Sequence, residues 1–373
     1  MPIIPTSWFE PVFEFQIIYD FGTYFLLSII FVILHKKKVI ELNILILSLV
    51  FLLTPFLFNG LLFEWTYFPD QSKYLATAYE IRKNPNSVLD LTNVEVGGIE
   101  NPGLKIALSS TLYAFSPIIS LETYKGIALY NRALFLFSWI FFTKKKFLDK
   151  YNSFFFLIAP SLILYTSISL RENLVILLML WFVYFYYRKR IFYIFVTILL
   201  IAIIKSPMLI VLGSLVILDR IIKYNYIDII NLFLLSFFLI LSFLIFQEQI
   251  IGIINTLREG FFLEQYGQYK SMSGKRDFNL NYSLAFNLQA IPLVINDFYN
   301  FVVPPFLKGN FSMFSIFHIV EVIMIYSFLF IRIFMQKNYN KHIFFKWICI
   351  IIASYFMYSL LIFNDGSIHR YKV

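Results

Sequence analysis

Residues 17–38 read IIYDFGTYFLLSIIFVILHKKK: a mainly apolar run from Ile17 to His35, closed by Lys36-Lys37-Lys38. A helix needs roughly 20 apolar residues to cross a hydrocarbon core, and this run supplies them. The lysine triplet supplies the charge that stays on the cytoplasmic side. Similar runs recur near 17–35, 40–63, 121–143, 152–169, 172–187, 191–204, 207–219, 227–246, 313–335 and 343–363. Basic clusters fall at every second junction: Lys36 to Lys38, Lys144 to Lys146, Arg188-Lys189-Arg190, Arg220 with Lys223, and Lys337 with Lys341. The alternation predicts an all-α, polytopic membrane helical bundle of about ten transmembrane helices, forming a single membrane domain over 1–373. Both termini and two long external loops, at about 64–120 and 247–312, then lie on the extracytoplasmic side. The three runs between 172 and 219 are short for a free span, and are read as buried in the bundle or paired as re-entrant segments.

Composition agrees with lipid as the solvent. Apolar residues make up 60% of the chain and charged residues 14%, where a soluble chain carries roughly 25% charged residues. The net charge of +9 is concentrated at the ends of runs, so it reads as topology and not as a nucleic-acid surface. One cysteine, Cys349, excludes a disulfide framework and a thiolate metal site. The start, Met1-Pro2-Ile3-Ile4-Pro5, has no basic region and no small-residue cleavage site, so the first span is expected to be retained. No P-loop, G-x-G-x-x-G, H-E-x-x-H or D-x-D is present, so no metal, cofactor or cytoplasmic nucleotide-sugar chemistry is expected.

Four constellations could carry chemistry. Phe68 to Arg82 reads as an amphipathic helix leaving the second run, started by Pro69 and with Asp70 favourably placed at its dipole. Asp70 could take a proton from a sugar hydroxyl as general base, or serve the helix alone. Glu100-Asn101-Pro102-Gly103 is a turn that launches the next apolar stretch, with Glu100 either an acceptor-sugar ligand or a solvated loop carboxylate. Ser167-Ile168-Ser169-Leu170-Arg171-Glu172 is a tight hairpin that would place a guanidinium at the outer membrane plane. Arg171 would there meet a phosphate in a bidentate fork, or pair with Glu172. Lys205-Ser206-Pro207 repeats that logic in the next outer hairpin. The C-terminal Asn364 to Lys372 offers His369 and Arg370 beside Gly366, either for a diphosphate or as a basic tail.

Inside the spans, Arg132 lies about twelve residues before the Lys144 cluster, hence near mid-membrane, and His318 and Glu321 sit in the ninth run. Such groups need partners or water, which implies a cavity or a structural Arg–Glu pair. The loop at 247–312 gathers Arg258, Lys270, Lys275 and Arg276 with Tyr266, Tyr269 and Tyr282, suited to phosphate and sugar rings or to a solvated lid.

In this order, the segments resemble the Wzy-type O-antigen polymerases and the related EpsG-type exopolysaccharide polymerases. The likeness rests on Asp70 to Tyr74, on Glu100, Pro102 and Gly103, on Pro160, Ser161 and Ser167 through Arg171, and on Gly366, Arg370 and Tyr371. Lys205-Ser206-Pro207 stands where EpsG-type members often carry His. The resemblance implies a bacterial inner-membrane glycosyltransferase whose donor and acceptor are undecaprenyl-diphosphate-linked oligosaccharides, polymerised at the outer leaflet. Asp70, Arg171 and Arg370 would be catalytic, and Tyr74, Glu100, Arg132, Lys205, Lys275, Arg276 and His369 would bind substrate. A chain-length regulator protein would be a partner beside membrane lipid, and nucleic acid would not. Two alternatives stay open: a glycosyltransferase of GT-C-like architecture using a polyprenyl-phosphate sugar, and a lipid-oligosaccharide flippase or transporter.

Overall fold

The computed structural model describes residues 13–59, 61–63, 70–86, 103–119, 121, 123–206, 208–221 and 313–330, with isolated positions at 68, 237, 249, 252 and 295. Among the described residues the structure is helical, with no strand. The chain divides into two compact units, Ile4–Leu209 and a second that begins at Ile210.

The first unit contains α1 (Phe13–Lys36), α2 (Leu42–Leu52), α3 (Thr54–Phe58), α4 (Asp70–Lys83), α5 (Gly103–Ala114), α6 (Tyr124–Lys144), α7 (Lys150–Ile158), α8 (Pro160–Thr166), α9 (Glu172–Tyr187) and α10 (Ile191–Lys205). Helix α11 (Met208–Ile221) runs across the division, and a further helix, Met313–Phe330, belongs to the second unit. Described helices cover eight of the ten predicted runs, and α4 and α5 lie within the expected loop at 64–120; 343–363 lies outside the described residues, as does 227–246 apart from Phe237.

Two helices, Gln16–Lys36 and Tyr124–Lys144, are long and apolar enough to cross a membrane, while Leu42–Phe58, Glu172–Tyr187 and Ile191–Lys205 are shorter apolar helices. Two of the runs expected as continuous spans are broken. Pro55 divides 40–63 into α2 and α3, and Pro160 divides 152–169 into α7 and α8. Proline has no N–H to donate and disfavours helical geometry in the residue before it. Ala159 accordingly sits at φ −57°, ψ 122°, outside the helical region.

Helix α6 is the centre of the first unit. Of its membrane-length window 72% is buried, against 22% for α1. Leu129, Ala133, Leu136, Trp139 and Ile140 of α6 pack with Leu27 and Phe31 of α1, Leu45 and Leu52 of α2, and Leu157 of α7. On its outer side α1 exposes Ile17, Ile18, Phe25 and Ile29, and α10 exposes Ile191, Phe192 and Phe195. Apolar faces this extensive are what lipid contact or a protein interface requires.

Contacts along the helices fix their sense. The amide of Ile119, before α6, donates to Thr23 Oγ1 midway along α1, and Phe31, about two turns further along α1, stacks on Phe137 of α6. Asn131 meets Asn173, and further along Phe142 meets Trp181 and Tyr184. Thus α1, α6 and α9 run parallel, and Lys36 to Lys38, Lys144 to Lys146 and Arg188 to Arg190 lie at one end of the unit.

All three of these helices stop in the same way. Lys38, Lys146 and Lys189 adopt φ of 55°, 53° and 55°, and they are the described non-glycine residues at positive φ. The amide after each lysine reaches back five residues, from Val39 to Leu34 O, Phe147 to Phe142 O and Arg190 to Phe185 O, at 2.8, 2.9 and 3.0 Å. The lysine amides bond His35 O, Thr143 O and Tyr186 O, which completes a Schellman cap at each site. Glycine is the usual residue there. A left-handed conformation costs other residues roughly 1–2 kcal/mol, and a cation at a helix C-terminus returns only about 0.3–1 kcal/mol. Helix capping alone therefore does not account for lysine at these positions.

Candidate functional site

The opposite end of the first unit is polar inside. Ser167, Ile168, Ser169 and Leu170 make the turn from α8 to α9, and all four are buried. The helices around it thus enclose the hairpin. A buried turn must have its backbone groups satisfied from elsewhere, and side chains of three helices do this. Asn131 Nδ2 of α6 donates to Ile168 O and Leu170 O at 2.9 and 3.0 Å, and the Tyr113 hydroxyl of α5 donates to Leu170 O at 3.0 Å. The amide of Ser169 donates to Gln71 Oε1 of α4 at 2.8 Å, and Asn59 Nδ2 donates to the same oxygen at 3.1 Å. Ser169 Oγ donates to Tyr124 O, and Ser167 Oγ lies 2.6 Å from Thr54 Oγ1. Asn173, the second residue of α9, donates to Asn131 O at 3.0 Å.

The charged groups at this site come from the segments singled out in the sequence. Arg171 is half-buried at the end of the turn, and its charge acts on both Tyr74 and Tyr113. Glu172, the alternative to phosphate as a partner for Arg171, lies 3.5 Å from Lys205 Nζ of α10, with side-chain exposures of 10% for Glu172 and 5% for Lys205. Lys205 therefore does not snorkel outward but closes α10 onto α9. Asp70 stands at the rim, 39% exposed and 3.7 Å from Lys73. Tyr74, one turn into α4, is buried, and this burial pushes its phenol well above the ordinary range against the pull of Arg171. Burial does the same to Tyr113. Both phenols are neutral donors and not bases at physiological pH.

Arg132 is fully buried at a break in the helices. Its Nε donates to Phe51 O at 3.1 Å and its Nη1 to Thr166 Oγ1 at 2.7 Å. In an unbroken helix Phe51 O would accept from residue 55, which is proline and has no N–H. Arg132 supplies the missing donor with help from Thr54 Oγ1 at 2.9 Å, and its guanidinium lies over the rings of Phe135 and Phe51.

Asp70, Tyr74, Arg171 and Lys205 are thus brought together, and Arg132 is tied to the same turn through Thr166. Glu100, Lys275, Arg276, His369 and Arg370 lie outside the described residues. Sequence reasoning missed Gln71, Tyr113, Asn131 and Asn173, which hold the turn, although Asn131 beside Arg132 in an apolar run was a readable signal. It also missed the role of Arg82. Its guanidinium donates to Ala114 O, Ile118 O and Ser116 O at 2.8, 2.8 and 2.9 Å, closing the end of α5 and fixing α4 against it.

The described residues define a helical protein with two apolar helices of membrane length and a buried, cation-bearing polar site at one end of its first unit. No family model matches the chain, and no curated protein or solved structure is significantly similar to it.

Proposed function

We propose that the chain is a multi-pass protein of the bacterial inner membrane that polymerises lipid-linked oligosaccharide repeat units at the outer leaflet. The observation that carries this reading is the meeting of Asp70, Tyr74, Arg171 and Lys205 at one polar site, at the end of the unit opposite the three basic caps. Basic ends mark the cytoplasmic side of a membrane protein, which leaves the polar site on the outer side, where undecaprenyl-diphosphate glycans are presented. The exposed apolar faces of α1 and α10 support the lipid environment.

In this reading an acceptor sugar hydroxyl attacks the anomeric carbon of the donor. The new C–O bond forms as the bond to the diphosphate breaks, and undecaprenyl diphosphate leaves with the electron pair. Asp70, partly open to solvent at the rim, takes the hydroxyl proton. Arg171 grips the diphosphate in its planar fork and stabilises the charge that develops there. Neutral Tyr74 donates a hydrogen bond and cannot compete for the proton. Arg370, Lys275, Arg276, Glu100 and His369 remain proposals from the sequence for the diphosphate and glycan.

The test is Arg171→Lys, matched to wild type in membrane abundance. A fork contact predicts that surface glycan collapses to single repeats, because lysine keeps the charge but loses the bidentate geometry. Full-length polymer would remove Arg171 from the mechanism. A lipid-oligosaccharide transporter is the second reading, favoured by the interruptions at Pro55 and Pro160, since broken helices line translocation sites in transporters. Purified protein that extends glycan without any compartment to cross would exclude it.

A further inference from the structure

The three lysine-capped helix ends share a backbone geometry, a charge and a location. Lys36 to Lys38, Lys144 to Lys146 and Arg188 to Arg190 are all solvent-exposed, so nine cations crowd one end of the first unit. In each run the residue held at positive φ is a lysine, at a position where glycine would relieve the backbone. Among the described residues, no partner explains this choice. The cation contacts found there are Lys145 over the Phe141 ring and Arg188 over the Tyr184 ring, neither made by a residue at positive φ. Exposed tyrosines lie beside the caps: Tyr151 at the start of α7, Tyr187 at the end of α9 and Tyr193 at the start of α10. Tyrosine is enriched at the headgroup level of membranes, where one edge is wet and the other apolar. The exposed apolar faces of α1 and α10 run into this same end.

We propose that these three caps form one docking surface for acidic phospholipid headgroups, with Lys38, Lys146 and Lys189 kept in a strained conformation for their charge. Lipid phosphate is the matching ligand because the cations form a broad, exposed and tyrosine-edged field. An acidic leaflet attracts each such cation individually. The proposal rests on the membrane embedding argued above and is independent of glycan transfer.

The experiment compares thermal unfolding of the full chain in nanodiscs of phosphatidylcholine alone and in discs that also contain phosphatidylglycerol. Wild type should unfold at a higher midpoint in the acidic discs. Replacing Lys38, Lys146 and Lys189 together by Gly removes three of the nine cations without blocking the caps, so the gain from phosphatidylglycerol should fall by about a third or more. The corresponding Lys→Arg triple should keep the gain. A Gly triple that gains as much as wild type overturns the proposal. So does inorganic phosphate that raises the midpoint in neutral discs as far as phosphatidylglycerol does, since this marks a soluble-anion site. Should the Gly triple fail to fold, the Lys→Asn triple carries the same comparison, because asparagine tolerates the left-handed conformation. A chain that does not enter nanodiscs at all would instead overturn the membrane reading.

Discussion

Arg132 heads the fully buried side chains of the described structure in size, and its hydrogen-bond partners among the described residues are a carbonyl and a hydroxyl, with no carboxylate. The sequence offered a cavity cation or one half of an Arg–Glu pair. The structure gives a third role, which follows from Pro55: the proline removes a donor and the arginine returns one. Arg132→Met should therefore destabilise the fold by about 2–4 kcal/mol, because it strips hydrogen bonds from buried acceptors. Pro55→Ala in that background restores a backbone N–H near Phe51 O and should recover part of the loss. Denaturant midpoints of the two single variants and the double variant decide it, and strictly additive losses would refute the link. Tyr74 and Tyr113 make a second residue-scale prediction. Burial raises both phenol pKa values above the unfolded value of about 10. Their contribution is complete below pH 10 and is lost as pH rises past it, because the unfolded chain ionises first. Tyr74→Phe and Tyr113→Phe should each flatten the alkaline decline of the thermal midpoint, and an unchanged slope would show that other groups cause it.

Among the elements, the turn between α8 and α9 and the junction of α9 with α10 hold the site. The pair of Glu172 and Lys205 is nearly excluded from solvent, and removing one partner of such a pair leaves the other charge buried. Glu172→Gln or Lys205→Met alone should cost about 3–5 kcal/mol, while the double replacement should recover most of that. A double-mutant cycle reads the coupling, and additivity would show that the two groups are independently solvated. The lysine caps make the converse prediction. In neutral lipid Lys38→Gly, Lys146→Gly and Lys189→Gly should each raise stability, by up to about 1 kcal/mol, because glycine adopts positive φ without the steric cost. Thermal midpoints in phosphatidylcholine test this, and three lowered values would mean that the lysines contribute more than they strain.

For the molecule as a whole, parallel α1, α6 and α9 put the basic caps at one end and Asp70, Tyr74 and Arg171 at the other. In a Cys349→Ser background, Asn86→Cys should react with a membrane-impermeant thiol reagent in intact cells and Lys189→Cys should react only after permeabilisation. Labelling of both positions from the same side would refute the orientation. Helix positions were legible because an apolar run of fixed length is a one-dimensional property: α9, expected over 172–187, is Glu172–Tyr187, and α6, expected over 121–143, is Tyr124–Lys144. The breaks at Pro55 and Pro160 were written in the sequence too, but hydropathy averages over a single proline and hides them. Candidate site residues were legible where a charge interrupts an apolar context, as at Arg171 and Lys205. Their partners were not. Gln71, Tyr113 and Asn131 look like ordinary helix residues until three helices converge on Ser169 and Leu170. Composition and period by themselves determined that the chain is helical and suited to lipid, because those properties depend only on neighbours along the chain. The tertiary structure alone decided that the Arg171 turn is buried, that Glu172 meets Lys205 and that Arg132 repairs a broken helix, because pairing across helices depends on rotation and register, which no linear pattern records.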